Sequence, residues 1–312
     1  MTDLLPAAPA IVQTEREQWL ARRRELVTAS DAAAILGADP RRGPLAVYAV
    51  KVGAVESADN DWMAFGRDVE GAVAKGYGRR TGRPVFERDP YELVRHPTLR
   101  WLAATPDRMT AGTLELPGPA PGPGTLEAKA VAGMKAAAWE EAPPVEYQIQ
   151  AQIQMSCTGA AWGSLVALIG GIQIVWKDLA RNDRFLDAAL PRLEEFHLRV
   201  QRRDPPEETD ALPETSRALR ALFPGNGETV ALQPDVLDLV GQWEAAKDRR
   251  NASDREADDV ENHLRRLLGG ATFGALADGS YLRLRETRRS GYTVEPTTYT
   301  TLGRYWPKVR RR

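Results

Sequence analysis

Asp107 ends the tripeptide Thr105-Pro106-Asp107, and Glu127-Ala128-Lys129 follows beyond a Pro/Gly-rich run at 116–124. Side chains two apart on a strand point to the same face, so Glu127 and Lys129 project together while Ala128 turns the other way. If strands at 108–110 and 124–130 pair as a hairpin across that run, Asp107 comes close to Glu127. Two carboxylates with a backbone carbonyl would make an all-oxygen site, which suits a hard cation such as Mg²⁺ or Mn²⁺. A lysine on the same face can position or help deprotonate an attacking water. The same pattern also describes an ordinary strand with a polar face. Glu70 offers a further carboxylate on a helical face with Gly66 and Ala74, where an exposed helix glutamate is the plainer reading.

Two other clusters could bind or polarise. Glutamines at 148, 150, 152 and 154 alternate as on a strand, but Pro144 precedes them and the Ala, Ile and Met between them suit a helix. On a helix, Tyr147, Gln150, Gln154 and Cys157 share a side. An amide there can donate to a water or phosphate without neutralising nearby carboxylates. Arg22, Arg23 and Arg24 precede Thr28-Ala29-Ser30. A helix beginning with Ser30 as its cap presents N–H groups to an anion, and an arginine beside it adds charge. A plain N-cap flanked by a solvated basic run explains the same residues.

The elements that must position these residues follow from period and punctuation. Helices are expected at 12–25, 32–36, 44–53, 62–80, 145–158 and 183–202, with Gly37, Gly53 and Thr81-Gly82 as stops. Strands are expected at 84–87, 91–95, 101–104, 108–110, 124–130, 162–169 and 172–175, the last two joined at Gly170-Gly171. Residues 204–229, rich in Pro, Glu and Thr, are expected as a linker or extended crossover. From 234 to 268 a charged helix carries a sparse apolar stripe of Leu237, Val240, Trp243, Ala246, Val260, Leu264 and Leu267. A helix packed on one side accounts for this better than a coiled coil. Strands at 281–284 and 292–295 close the chain. The expected class is α/β, a central mixed sheet flanked by helices, with a long helix and hairpin as a C-terminal extension.

Composition narrows the chemistry. The chain has 312 residues, 43% of them hydrophobic, and a formal net charge of -1, enough apolar material for a sizeable core. Its single cysteine, Cys157, cannot build an internal disulfide, a CxxC zinc site or a four-cysteine iron–sulfur cluster. The three histidines show no metal-ligand spacing. No basic segment precedes an apolar run at the start, and no stretch is long and apolar enough for a membrane span, so the expectation is a cytoplasmic protein without a membrane. Residues 281–312 hold nine Lys and Arg against Glu286 and Glu295, so the near-zero charge conceals an acidic body and a basic tail.

Together these segments resemble the YqaJ-type viral recombinases, relatives of the phage lambda exonuclease in the PD-(D/E)XK nuclease superfamily. The likeness runs through Trp19, Arg23 and Ser30 (W-x3-R-x6-S), then DAAAILG, FGRDVEG, ATPDRM, LEAK, and Tyr147, Gln150, Gln152 and Met155 (Y-x2-Q-x-Q-x2-M). These lie in the family's order over about residues 15–205. The resemblance implies a PD-(D/E)XK core at 1–205, a linker at 206–230 and an extension at 231–312. It implies a Mg²⁺-dependent 5′-to-3′ exonuclease on linear double-stranded DNA, leaving 3′ overhangs for single-strand annealing. One or two ions are expected, with Mn²⁺ substituting.

By the same resemblance Asp107, Glu127 and the Ala128 carbonyl would hold metal, and Glu70 would do so directly or through water. Lys129 would orient the attacking water with help from Gln150. Arg23, Ser30 and Lys135 would bind the 5′-phosphate, although Lys135 stands where the lambda enzyme has a forked arginine. Arg41, Arg42, Arg79, Arg80 and Arg83 are candidates for a DNA track. Implied partners are DNA ends, a single-strand annealing protein and a homo-oligomer such as a ring trimer. The implied setting is a phage or prophage in a bacterial host. Rival functions are an endonuclease or repair nuclease of the same superfamily, and a DNA-end-binding protein without catalysis.

Overall fold

The computed structural model describes residues 14–56, 61–225, 229, 231–268, 271–275 and 281–283, without the side chains of Met134, Lys135, Ala275 and Tyr281. The expected strand at 292–295 and the basic end of the chain lie outside the described residues. The chain divides into two compact units, Met1–Pro224 and Gly225–Arg312.

The first unit is built on a five-stranded mixed sheet. Its strands are β2 (Val85–Phe86), β5 (Arg108–Ala111), β6 (Pro123–Val131), β7 (Trp162–Ile169) and β8 (Gln173–Ala180), in the order β2-β5-β6-β7-β8. β6 and β7 run parallel, and the other neighbours are antiparallel. The parallel pair needs a crossover. Here it is a 3-10 helix, Gly133–Trp139, followed by α5 (Val145–Thr158). The β7–β8 hairpin turns at Gly170 and Gly171, both at positive φ (58° and 77°). That backbone matches strand twist and is costly for any residue with a Cβ.

Alternation on β6 and β7 fills both faces. Leu126 and Val166 pack with Val73, Ala74 and Tyr77 of α4 (Asp61–Thr81). Leu165, Ala167 and Ile169 turn the other way, onto Ala151 and Met155 of α5. A second sheet of β1 (Val27–Thr28), β4 (Leu102–Ala104) and β3 (Val94–Arg95) lies in that order, β1 parallel to β4. It joins α2 (Ala29–Ile35), α3 (Pro44–Lys51), α5 and α6 (Asp183–Arg202) in the largest apolar cluster. α1 (Glu15–Arg24) starts at a capping box in which Thr14 and Glu17 exchange hydrogen bonds.

Three sequence expectations change. Thr28, not Ser30, caps α2: Asp31 accepts from the Thr28 N–H (3.1 Å) and hydroxyl (2.6 Å), which places Ser30 inside the first turn. Residues 206–230 contain helix α7 (Pro213–Leu222), opened by Pro213 and burying Thr215 and Ala218. Leu222 reaches the main core, so residues 213–222 pack within the first unit rather than forming a linker. In the second unit, α8 (Val236–Leu268) buries none of its residues, so its apolar stripe is not packed on one side as expected. β9 (Phe273–Ala275) and β10 (Tyr281–Arg283) pair antiparallel after it.

Candidate functional site

The ladder between β5 and β6 ends at the pair Arg108–Leu126. Beyond it, Glu127, Ala128 and Lys129 pair only with β7. A buried N–H on the released edge needs a partner. That of Ala128 donates to Oδ2 of Asp107 at 2.8 Å. The stop in pairing thus brings the carboxylate before β5 to the exposed backbone of β6, as the hairpin expectation required.

Glu127 is 3% exposed, and three donors surround its carboxylate. Lys129 Nζ and Gln150 Nε2 both donate to Oε1 at 2.5 Å. Gln154 Nε2 donates to Oε2 at 2.6 Å. Lys129 also donates to Gln150 Oε1 at 3.2 Å and lies 5.0 Å from the Tyr147 ring centroid. A buried carboxylate with this shell is held in one orientation at little net cost. The helical alternative for residues 145–158 therefore holds, and the (i, i+4) spacing of Gln150 and Gln154 aims both amides at one residue. Gln154 is the contributor that sequence reasoning left without a role. It is fully buried, and its own Oε1 has no partner among the described residues.

Burial, with the neighbouring negative charges of Glu127 and Glu70, raises the Asp107 carboxyl well above its ordinary range. Burial would lower the Lys129 ammonium, but Glu127 and Asp107 outweigh it and push it up, so Lys129 stays charged. Glu70 is also raised, by burial, against the pull of Arg108. Its Oε1 accepts from Arg108 Nη1 at 3.0 Å, and the same nitrogen donates to the Asp107 carbonyl at 2.6 Å. The expected third carboxylate thus faces the cluster electrostatically but is tied by an arginine.

Among the described residues no group of three or more His, Cys, Asp or Glu is gathered closely enough to hold a metal ion. The donor set that fits a hard cation is narrower: Asp107, Glu127 and the Ala128 carbonyl, all oxygen. The raised Asp107 carboxyl marks negative charge that the chain's own cations do not offset.

The second cluster surrounds Asp31. Lys51 Nζ lies 2.7 Å from Asp31 Oδ2, with both side chains buried, and Arg42 Nη1 lies 3.8 Å from Oδ1. Arg23 Nη2 donates to the Ser30 hydroxyl at 2.6 Å and to that of Thr28 at 3.2 Å, with its guanidinium 4.4 Å from the Trp19 ring centroid. Burial works to raise the Asp31 carboxyl, but Lys51, Arg42 and Arg23 hold it far below the carboxylate range. The structure brings Arg23 and Ser30 together as expected. Lys135 falls in the 3-10 helix, and its side chain lies outside the described residues.

The candidate DNA track does not hold in full. Arg83 is 2% exposed, paired with Asp178 at 2.8 Å, and donates to the carbonyls of Leu116 and Pro117. It anchors the Pro/Gly loop rather than facing solvent. Arg42 is engaged with Asp39, Asp31 and the Ser30 carbonyl. Arg41 pairs with Asp39 and approaches Glu146 and the Tyr147 ring. Arg79 and Arg80 are exposed near the end of α4.

Residues 18–161 match the YqaJ-like viral recombinase domain. Over 273 residues, 85% of this chain and 82% of the other, the sequence is 25% identical to Uncharacterized protein YqaJ of Bacillus subtilis (strain 168). Among solved structures, the alkaline exonuclease LHK-Exo from Laribacter hongkongensis superposes with a TM-score of 0.49 at 23% identity, covering 60% of this chain and 94% of that one. A phage related exonuclease from Haemophilus somnus 129PT gives 0.42 at 12% identity, over 57% of this chain and 94% of that one. No helix among the described residues is long and apolar enough to cross a membrane.

Proposed function

Since residues 18–161 carry a YqaJ-like viral recombinase domain, we propose that this protein is a divalent-metal-dependent exonuclease. It degrades the 5′-ended strand of linear double-stranded DNA and leaves 3′ overhangs for phage-type recombination. The observation that carries this reading is the convergence of Asp107, Glu127, Lys129 and Gln150 where β6 loses its β5 partner.

Asp107, Glu127 and the Ala128 carbonyl would hold Mg²⁺ or Mn²⁺, as one or two ions, with Glu70 joining once released from Arg108. When bound, such an ion polarises the scissile phosphate and stabilises the charge that develops on its oxygens. Lys129, kept protonated by Glu127 and Asp107, orients the attacking water and donates a hydrogen bond to it. Gln150 restrains Lys129 through its carbonyl and Glu127 through its amide, and Gln154 fixes the other oxygen of Glu127. Arg23 and Ser30, with Lys135, bind the terminal 5′-phosphate and so set which bond reaches the carboxylates. The reading places the nuclease in residues 1–205, with α7 completing its packing, and gives the 231–312 extension a role in assembly or partner binding. A single-strand annealing protein would take up the overhangs, and the setting would be the cytoplasm of a bacterial host.

Linear duplexes with a 5′-phosphate or 5′-hydroxyl, and a closed circle, incubated with Mg²⁺ and then with EDTA, test the reading. Metal-dependent loss of the linear 5′-phosphate substrate is expected. Nicking of the circle would point to an endonuclease. Binding without cleavage in Mg²⁺ or Mn²⁺ would point to an end-binding protein and overturn the proposal.

A further inference from the structure

α8 is 33 residues long, about 50 Å at 1.5 Å per residue, and buries no side chain. Eight of its apolar residues fall on one seam at alternating three- and four-residue steps: Val236, Leu239, Trp243, Ala246, then Ala257, Val260, Leu264 and Leu267, with Arg250 and Ser253 at the centre, while Leu237, Val240, Ala245, Ala252 and Leu268 lie off it. This is a heptad a/d pattern, with Val236, Trp243, Arg250, Ala257 and Leu264 at a and the others at d. Leu239, Val260 and Leu267 are 62%, 54% and 74% exposed. Isolated helices depend on packing of such a face for stability.

We propose that this seam binds α8 of a second copy of the chain as an antiparallel two-stranded coiled coil. Seam and charge both select that partner and that direction. Antiparallel pairing sets Val236 against Leu267, Leu239 against Leu264, Trp243 against Val260, Ala246 against Ala257 and Arg250 against Ser253. The bulky ring faces a smaller residue, and the alanine layers permit close approach. Parallel pairing sets Arg250 against Arg250 and Trp243 against Trp243. The flanking positions agree. Lys247 and Arg249 lie on the N-terminal half, Asp254 and Glu256 on the C-terminal half. Antiparallel helices bring Lys247 to Asp254 and Arg249 to Glu256, each twice by symmetry. Parallel helices also bring Arg249 to Asp254, but they place Glu256 near Glu261 and leave Lys247 facing Gln242 in place of an acid. Lys247 is held beside the seam, 4.4 Å from the Trp243 ring centroid. The inference is independent of the nuclease reading.

Cysteine cross-linking of the full chain tests it. A mixture of Ala246→Cys and Ala257→Cys proteins, oxidised together, should give a disulfide-linked dimer, while each alone gives no more cross-link than the unsubstituted chain. Cross-linking of Ala246→Cys with itself would show parallel strands and overturn the proposal. No cross-link in the mixture would overturn it as well. In sedimentation, Arg249→Glu should weaken self-association about tenfold, as expected for two lost ion pairs, and Glu256→Arg in the same chain should restore it. Failure of the second change to restore association, with the helix content unchanged, would show that these charges do not face each other.

Discussion

The two charged clusters of the first unit are built on opposite balances. Around Glu127, the carboxylates of Asp107 and Glu70 outnumber the one lysine on the same strand, and burial leaves the Asp107 carboxyl raised. Around Asp31, the cations Lys51, Arg42 and Arg23 surround one carboxylate, which is depressed instead, although Arg42 is also paired with Asp39. Each cluster is incomplete in the sense of its own surplus: the first has negative charge to spend on a cation, the second has positive charge for an anion. They are not isolated, because Glu127 is among the charges that act on Arg23. Tyr147 lies between, with Lys129 5.0 Å from its ring centroid and Arg41 5.8 Å from it. A phosphodiester lying across both would offer its terminal phosphate to the basic cluster and its scissile phosphate to the acidic one.

Breaking the acidic cluster should have the largest effect. Glu127→Ala removes the acceptor of three donors, and Lys129→Met removes the donor to the water. Each should lower metal-dependent hydrolysis about 10²–10⁴-fold, the range for loss of a positioned acid–base group. Duplex binding in EDTA, followed by fluorescence anisotropy, should stay close to that of the parent. Full activity in either variant would remove these residues from the chemistry.

Breaking the basic cluster should first cost stability. Asp31→Asn leaves Lys51 buried without its counter-ion, and removal of one partner from such a pair costs about 3–5 kcal/mol. Urea denaturation of the full chain measures it, and a loss below 1 kcal/mol would show that the pair is relaxed by solvent. The sign with pH follows from the depressed carboxyl. Asp31 contributes stability above the ordinary aspartate range, and that contribution is lost as pH falls toward its folded-state value. Below about pH 4 the parent should lose stability more steeply than Asp31→Asn; parallel curves would remove Asp31 as the source.

Smaller changes sharpen the contrast. Arg23→Lys keeps the charge but loses the fork that reaches Ser30 and Thr28 together. Preference for a 5′-phosphate over a 5′-hydroxyl end should fall about tenfold, near the value of one charged hydrogen bond, with little change in stability. Gln154→Leu removes a donor to Glu127 together with an unpartnered carbonyl. The two effects oppose, so stability should shift by about 1 kcal/mol or less while turnover falls through looser placement of Glu127. Unchanged turnover would make Gln154 a packing residue.

What could be read from the sequence follows the range of the interactions. Glu127 and Lys129 were legible because strand alternation is local, and Asp107 because the Pro/Gly run marks a hairpin. Gln150 was legible once Pro144 argued for a helix. Gln154 had the same (i, i+4) signal, but alternating glutamines blurred it. Glu70 was located on its helix, yet its tie to Arg108 depends on where β5 passes α4, which no local pattern encodes. Arg83 looked like surface charge because its partner Asp178 lies on β8, far along the chain. α7 was hidden by the Pro- and Glu-rich composition around it, although Pro213 is a proper first-turn residue. The α8 stripe was seen in part. None of its residues is buried, since a stripe shows that a helix seeks a partner and not which one.

The Ala128 amide gives the broken ladder a further consequence. Most strand amides are protected from exchange with solvent deuterium by a neighbouring backbone, and they open when the sheet opens. This one is closed by a side chain, at 2.8 Å from Asp107. Its exchange rate therefore reads the position of one carboxylate rather than the integrity of the sheet. Addition of a divalent cation that recruits Asp107 should alter the exchange of this single amide while those of Leu165 and Val166 on the adjoining strand stay as they were. The arrested hairpin thus contains its own spectroscopic label, placed by the fold at the atom where occupancy matters.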